Sequence, residues 1–128
     1  MSVELNHTIV AAREKKAAAD FFARILGLEV GAPLGPFVPV GTGNGVTLDF
    51  MDTDADEIAP QHYAFLVSDG EFDAIFGRIR EAGIAFYADP AHQEAGRINH
   101  RDGGRGAYFD DPNGHNLEIL TRPYGSGG

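Results

Sequence analysis

The stretch GGRGAYFDDPNGHNLEIL, residues 103–120, contains two apolar runs separated by Pro-Asn-Gly. Proline presets φ and glycine accepts positive φ, so the pattern predicts a strand, a tight reversal and a second strand. In the returning strand Glu118 lies between Leu117 and Ile119, and the period of two places its carboxylate on the opposite face from both. An acid on the inner face of a sheet is costly to bury unless it is paired or binds a metal. We therefore expect the rest of the chain to supply partners for Glu118.

The composition limits what those partners are. The chain has 128 residues, enough for one domain spanning 1–128, and it contains no cysteine, so a metal would need His and carboxylate ligands. Its net charge of −9 argues against nucleic acid and anionic membranes as partners. Because no apolar run approaches the roughly 20 residues that span a bilayer, we expect a soluble, cytoplasmic protein.

Outward from residues 103–120, the chain repeats one plan of strand, helix and further strands in two modules, at about 3–51 and 61–122. Ser68 and Glu71 have the spacing of a capping box at the start of the second helix. Helical periodicity predicts helices at 13–26 and 69–82. Apolar, β-branched or alternating runs predict strands, which precede the strand–turn–strand described above, at 3–11, 28–30, 37–40, 46–51, 62–67 and 84–87.

Each module carries one histidine on its first strand and one acid on its last. These residues are His7 and Asp49 in the first module, and His62 and Glu118 in the second. If the two sheets face each other, the four side chains converge. Imidazoles with carboxylates suit Fe(II), Mn, Zn, Ni or Co, and two His with one carboxylate form the facial arrangement of non-haem Fe(II).

Two motifs make the chain resemble a known superfamily. The helix exit FFARILGLEV at 21–30 and the ending DPNGHNLEI at 111–119 resemble the vicinal oxygen chelate superfamily, which includes glyoxalase I, bleomycin and fosfomycin resistance proteins and type I extradiol dioxygenases. The resemblance implies an α+β fold of paired βαβββ modules. It also implies a cup-shaped, incompletely closed eight-stranded β-barrel with helices outside, a divalent metal inside, a small-molecule substrate and a homodimer.

Within that superfamily, the second module is most similar to the extradiol dioxygenase signature. Ile98-Asn99-His100, a glycine-rich spacer, Tyr108 and Glu118 follow its order. The similarity implies that Glu118 is a metal ligand, that His100 and Tyr108 contact substrate and oxygen, and that Fe(II) is the favoured metal. The implied reaction is ring cleavage of a small aromatic diol.

Asp49 leaves a second reaction open. By resemblance, ring-cleaving dioxygenases have no ligand at this fourth position, whereas glyoxalase-type isomerases have Glu. In the glyoxalase-like alternative, a metal stabilises an enediolate while Glu118 or Asp49 moves the proton. A third alternative is a metal-free binding protein of the antibiotic-resistance type.

Other polar residues near the motifs have weaker assignments. Arg97 and Arg101 are candidates to bind a substrate carboxylate, although loop arginines are more often solvated. His92 and His115 are expected at the surface. Tyr124 lies in a glycine-rich tail that is expected to be loose, and it is a candidate to cover the site and contact substrate.

Overall fold

Three strands and one helix form the first of two compact units in the computed structural model, which describes residues 2–127. The units are Met1–Ile58 and Ala59–Gly128. In the first unit, β3 is parallel to β1 and antiparallel to β2, so β3 lies in the centre of the sheet. The elements of this unit are β1 (His7–Ala12), α1 (Lys15–Leu26), β2 (Phe37–Gly41) and β3 (Thr47–Asp52).

Alternation along β1 and β3 separates the two faces of this sheet. Leu48 and Phe50 are buried on one face, where the Phe50 ring meets the Phe22 ring of α1 edge-on at 4.8 Å between centroids. The helix ends as predicted at Gly27, which adopts a φ of 75° and donates its N–H to the Ala23 carbonyl. The opposite face carries the residues that alternate with this core, including Asp49.

The second unit repeats the arrangement of the first. Its central strand β6 is parallel to β4 and antiparallel to β5. The repeat inferred from the sequence is therefore confirmed at the level of strand order. Its elements are β4 (His62–Leu66), α2 (Asp69–Glu81), β5 (Gly106–Asp110) and β6 (Asn116–Leu120).

The reversal between β5 and β6 forms as predicted. Asp111 Oδ1 accepts hydrogen bonds from the backbone N–H groups of Asn113 at 2.9 Å and His115 at 2.7 Å. Gly114 has a φ of 86°, which a side chain would disfavour. This turn aligns β6 so that Glu118 pairs with Tyr108 of β5.

Two of the predicted strands are reduced to isolated bridges. The segment at 28–30 contributes a bridge between Val30 and Val40, and the segment at 84–87 contributes bridges from Tyr87 to Ala95 and Tyr108. Prolines follow both segments closely, and each removes a backbone donor that a longer ladder needs. Within residues 2–127 the structure thus has six strands where the resemblance implied eight, and the α+β class with paired modules is confirmed.

The other boundaries shift by a few residues. The first strand begins at His7 instead of residue 3, and the first helix begins at Lys15 instead of residue 13. Neither helix in the described part of the chain is long and apolar enough to cross a membrane.

Helix α2 begins with the predicted capping box. The Ser68 hydroxyl accepts the Glu71 N–H at 3.1 Å, and the Glu71 carboxylate accepts the Ser68 N–H at 2.8 Å. We expect Ser68→Ala to lower the free energy of unfolding by about 1 kcal/mol, because it removes the acceptor for a helix-terminal N–H. Urea denaturation would measure the change. Ser2→Ala, at an exposed position outside any element, is the control, and an equal effect of both variants would contradict the prediction.

Candidate functional site

A buried glutamate is the centre of the site in the second unit. Glu118 is 1% exposed, and both of its carboxylate oxygens have partners. Oε1 lies 2.9 Å from His62 Nε2, and Oε2 accepts a hydrogen bond of 2.6 Å from the Tyr124 hydroxyl. The alternation in β6 predicted an inward carboxylate in need of partners, and the structure confirms that burial and pairing.

The strand register explains why these groups meet. Tyr108 of β5 pairs directly with Glu118, so their side chains lie on the same face of the sheet. On the other side of β6, His62 pairs with Asn116, two residues before Glu118, and therefore also lies on this face. The imidazole of His62 is 5.8 Å from the Tyr108 ring, measured between centroids.

A continuous line of hydrogen bonds runs to Glu118. Arg101 donates to the Tyr108 hydroxyl at 2.7 Å, and the hydroxyls of Tyr108 and Tyr124 are 2.9 Å apart. Because Tyr124 donates its hydrogen to Glu118, Tyr108 must be the donor between the two hydroxyls. The donors therefore point from Arg101 through Tyr108 and Tyr124 to the carboxylate, an arrangement in which each bond polarises the next.

The environment of Tyr124 keeps its hydroxyl protonated. Burial of the hydroxyl raises the pKa of Tyr124 above its ordinary value, and the hydrogen bond to Glu118 raises it further. The rest of the residue is open, with 60% of its surface exposed. Tyr124 therefore acts as a hydrogen-bond donor to Glu118 at neutral pH.

Gly106, the first residue of β5, brings the loop that carries Arg101 close to the sheet. A Cβ on Gly106 would lie 2.8 Å from the amide oxygen of Asn99. Asn99 pairs with Gly106 through two backbone hydrogen bonds, and its amide donates to the Ala88 carbonyl at 2.9 Å. Gly106 thus leaves the space that Asn99 occupies, which holds the loop where Arg101 reaches Tyr108.

Two predicted site residues lie apart from this cluster. His100 is exposed and immediately precedes a single 3₁₀ turn at 101–103, and Arg97 is exposed on the same loop. Among residues 2–127 neither side chain makes a hydrogen bond. On this loop it is the side chain of Arg101 that contacts Tyr108, and its guanidinium also lies 5.6 Å from the centroid of the Tyr108 ring.

The first unit carries the other two predicted ligands. His7 pairs with Thr47, and Ile9 pairs with Asp49, so the side chains of His7 and Asp49 lie on one face of that sheet. His7 is exposed, with its Nδ1 2.7 Å from the amide oxygen of Asn6, and Asp49 is half-buried. The shared face is the one opposite the Phe50 core.

The chemistry of the Glu118 and His62 pair fits a divalent metal. An imidazole nitrogen and a carboxylate oxygen are the ligand types of Zn, Fe, Mn and Co sites. The two atoms are 2.9 Å apart, which is the distance of a direct hydrogen bond, so a bound metal would take the place of that bond. Within residues 2–127 no three His, Asp or Glu side chains cluster closely enough to hold a metal, so the Glu118 and His62 pair has no third ligand beside it in this structure.

Two histidines expected at the surface have structural contacts. His115 is fully buried, and its Nδ1 accepts the Gln61 N–H at 3.1 Å. His92 is half-buried and stacks on the Tyr87 ring, with centroids 4.1 Å apart. The expectation was wrong for His115 because the Asp111 side chain binds the backbone of the turn and draws it inward.

Sequence reasoning also missed how Arg101 and the tail are held. Arg101 was expected to be solvated, but it donates to a buried hydroxyl, and no local pattern in the sequence indicates that contact. The tail was expected to be loose. Instead, residues 123–127 lie against Asp102, whose carboxylate accepts the N–H groups of Gly125 and Gly127.

Comparison with known proteins places these features in a family context. Residues 4–119 match the Glyoxalase/Bleomycin resistance protein/Dioxygenase superfamily. The solved structure of oxidase ChaP-H2 is 69% identical, with a TM-score of 0.97 and full coverage of both chains. Oxidase ChaP-H1 is 60% identical with a TM-score of 0.94, covering 97% of this chain and 99% of that one. Metallothiol transferase FosB from Shouchella clausii is 28% identical over 122 residues, 91% of this chain and 79% of the relative.

Proposed function

The chain belongs to the Glyoxalase/Bleomycin resistance protein/Dioxygenase superfamily, and from this premise we propose that it is a divalent-metal-dependent oxidoreductase that uses oxygen. The specific proposal is an extradiol-type dioxygenase that cleaves the ring of a small aromatic diol. Similarity to oxidases ChaP-H2 and ChaP-H1 over essentially the whole chain supports oxygen chemistry.

The observation that carries the proposal is the buried Glu118 with His62 beside it. Burying a carboxyl group to 1% exposure costs stability unless the group is paired or binds a metal, and a role as a metal ligand accounts for an acid at this position. We propose Glu118 and His62 as two ligands of the metal, with Fe(II) favoured and Zn, Ni, Mn or Co as other possibilities. The name of the relative FosB, a metallothiol transferase, is consistent with a metal in this superfamily.

The remaining ligands are proposed from the first module. His7 supplies the second imidazole, and Asp49 is the additional acid whose participation separates the two candidate reactions. Bound Fe(II) would supply the open coordination positions at which a diol and oxygen meet. A homodimer is also part of this proposal, on the basis of the family.

Tyr108 and Arg101 provide the polar groups for the diol. The Tyr108 hydroxyl is a rotor that can turn its hydrogen toward a substrate oxygen as negative charge develops there. The positive charge of Arg101, 2.7 Å from that hydroxyl oxygen, strengthens Tyr108 as a donor. We propose that His100 and Arg97, both exposed on the adjoining loop, contact the substrate from the solvent side, and that Tyr124 covers it.

Anaerobic loading with Fe(II), followed by oxygen and a panel of catechols, tests the reaction. We expect a yellow ring-opened product to form with at least one catechol and to depend on added Fe(II). Protein that binds Fe(II) but yields no such product from the panel would contradict ring cleavage. Metal-free protein in the same assay is the control.

A specific observation keeps the glyoxalase-like isomerase as the second candidate. Asp49 shares a sheet face with His7, where an acid could complete a four-ligand site. Elemental analysis of wild-type protein and Asp49→Ala separates the two reactions. Iron retained by Asp49→Ala supports the three-ligand site of a dioxygenase, whereas zinc, nickel or cobalt lost with Asp49 supports the isomerase. Tight binding of a ligand by metal-free protein would instead support the antibiotic-resistance type.

A further inference from the structure

We propose that Asp102 and residues 123–127, which together we call the clasp, position Tyr124 on Glu118 and thereby set the affinity of the site for a divalent metal. The proposal rests on Glu118 being a metal ligand, as proposed above. Asp102 and the glycines of the clasp are positioning residues, since none of them contacts Glu118 itself.

Asp102 binds the backbone of residues 123–127 through both carboxylate oxygens. Oδ2 accepts the Gly125 N–H at 3.1 Å, and Oδ1 accepts the Gly127 N–H at 3.2 Å. Within the segment, the Pro123 carbonyl accepts the Ser126 N–H at 3.1 Å and the Ser126 hydroxyl at 2.6 Å. These bonds fold the segment into a turn, and Tyr124 lies within that turn, immediately before the anchored Gly125.

Glycine is required at two places in the clasp. Gly125 has a φ of 79°, which side chains rarely adopt. A Cβ on Gly127 would clash with the Cα and carbonyl carbon and oxygen of Asp102, because the two backbones are in close contact. The glycine-rich composition that suggests a loose tail is therefore what allows residues 123–127 to pack closely against the backbone of Asp102.

The clasp determines which oxygen of Glu118 faces the metal-binding side. With the Tyr124 hydroxyl 2.6 Å from Oε2, the carboxylate cannot rotate freely, and Oε1 stays toward His62. Partners of this kind orient a ligand before the metal arrives, and removing one typically costs about 10- to 100-fold in metal affinity. The 3₁₀ turn at 101–103 carries both Asp102 and Arg101. It therefore holds Tyr124 through the bond from Gly125 to Asp102, and it holds Tyr108 through the hydrogen bond from Arg101.

Titration of tag-free, metal-free protein with Mn²⁺ by isothermal calorimetry tests the clasp. We expect Tyr124→Phe, Asp102→Gly and Gly127→Ala each to weaken Mn²⁺ binding about 10- to 100-fold. Asp102→Gly removes the carboxylate but suits the φ of 57° at this position, so the backbone stays compatible with the turn. Asp102→Asn keeps one acceptor oxygen and is expected to restore part of the lost affinity, which a general loss of structure would not allow.

The double variant Asp102→Gly/Tyr124→Phe tests whether the clasp acts through Tyr124. We expect it to bind Mn²⁺ no more weakly than Tyr124→Phe, because the clasp has nothing left to position. Additive losses would overturn the proposal. Glu118→Ala separates this inference from the function on which it rests. Unchanged Mn²⁺ affinity in Glu118→Ala would refute the metal site itself, whereas loss there with wild-type affinity in the three clasp variants would refute the clasp alone.

Discussion

Glu118→Ala is expected to reduce the affinity for a divalent metal about 1,000-fold or more, so that protein purified without an affinity tag contains no bound metal. The carboxylate is the only acid among the described residues that lies within hydrogen-bonding distance of His62, and it is almost wholly buried. Its removal takes away both the charge and the oxygen that face the imidazole. Elemental analysis and Mn²⁺ titration measure the loss.

Glu118→Gln separates the charge of this side chain from its shape. The amide can still accept the Tyr124 hydroxyl, so we expect the fold to persist while the metal is lost, because a neutral amide is a much poorer ligand. Asp110→Ala is the matched control. Asp110 lies on the neighbouring strand, on the same face as Tyr108, but its side chain is 47% exposed and faces His92 at 3.5 Å. Equal metal content in wild-type protein and Glu118→Ala would remove the basis of the proposed function.

The alternation around Glu118 shows which features short-range patterns predict well. The position of one acid between Leu117 and Ile119 predicted its orientation, and Pro-Asn-Gly predicted the turn that fixes the register. Capping of α2 by Ser68 and Glu71 was predicted for the same reason, since the interacting groups are three residues apart. Local stereochemistry determines each of these features.

The predicted strands at 28–30 and 84–87 show where such patterns are insufficient. An apolar run such as 84–87 forms a ladder only if a partner strand is long enough to pair with it. Within this run, only Tyr87 forms β-bridges. That condition depends on residues far away in the chain, here Ala95 and Tyr108. The run therefore forms only the two bridges of Tyr87, and its other apolar residues contribute through packing. One such contact joins Phe76 and Phe86, whose ring centroids are 4.8 Å apart.

The partners of the candidate site were harder to predict than its central residue. Tyr124 reaches Glu118 because the Asp102 carboxylate, which is distant from Tyr124 in sequence, accepts hydrogen bonds from the N–H groups of Gly125 and Gly127. A glycine-rich composition is shared by flexible linkers and by segments that need close backbone contact, so composition alone does not separate them. Arg101 was assigned to solvent for a related reason, since its acceptor is a hydroxyl buried in the sheet.

Tyr108→Phe is expected to lower kcat for ring cleavage about 100-fold while the metal content stays at the wild-type level. The substitution removes only a hydroxyl, because the ring remains buried against the sheet at 1% exposure. Without that hydroxyl, Arg101 has no acceptor in the site, and a substrate oxygen loses its donor as charge develops. Glu118 and His62 are untouched, so metal binding is expected to persist, with kcat affected more than KM.

Tyr87→Phe is the matched control for the loss of a phenolic hydroxyl. Tyr87 pairs with Tyr108 through the backbone, with hydrogen bonds of 2.9 and 2.8 Å, and its ring stacks on His92. Tyr87 is therefore a direct neighbour of Tyr108 in the sheet, but its ring stacks on His92, whereas the two oxygens of Glu118 contact His62 and Tyr124. Stopped-flow kinetics with the best catechol of the panel should show kcat of Tyr87→Phe within about threefold of wild type. If Tyr108→Phe also stays within that range, the hydroxyl does not serve the reaction, and Arg101 contacts it for structural reasons only.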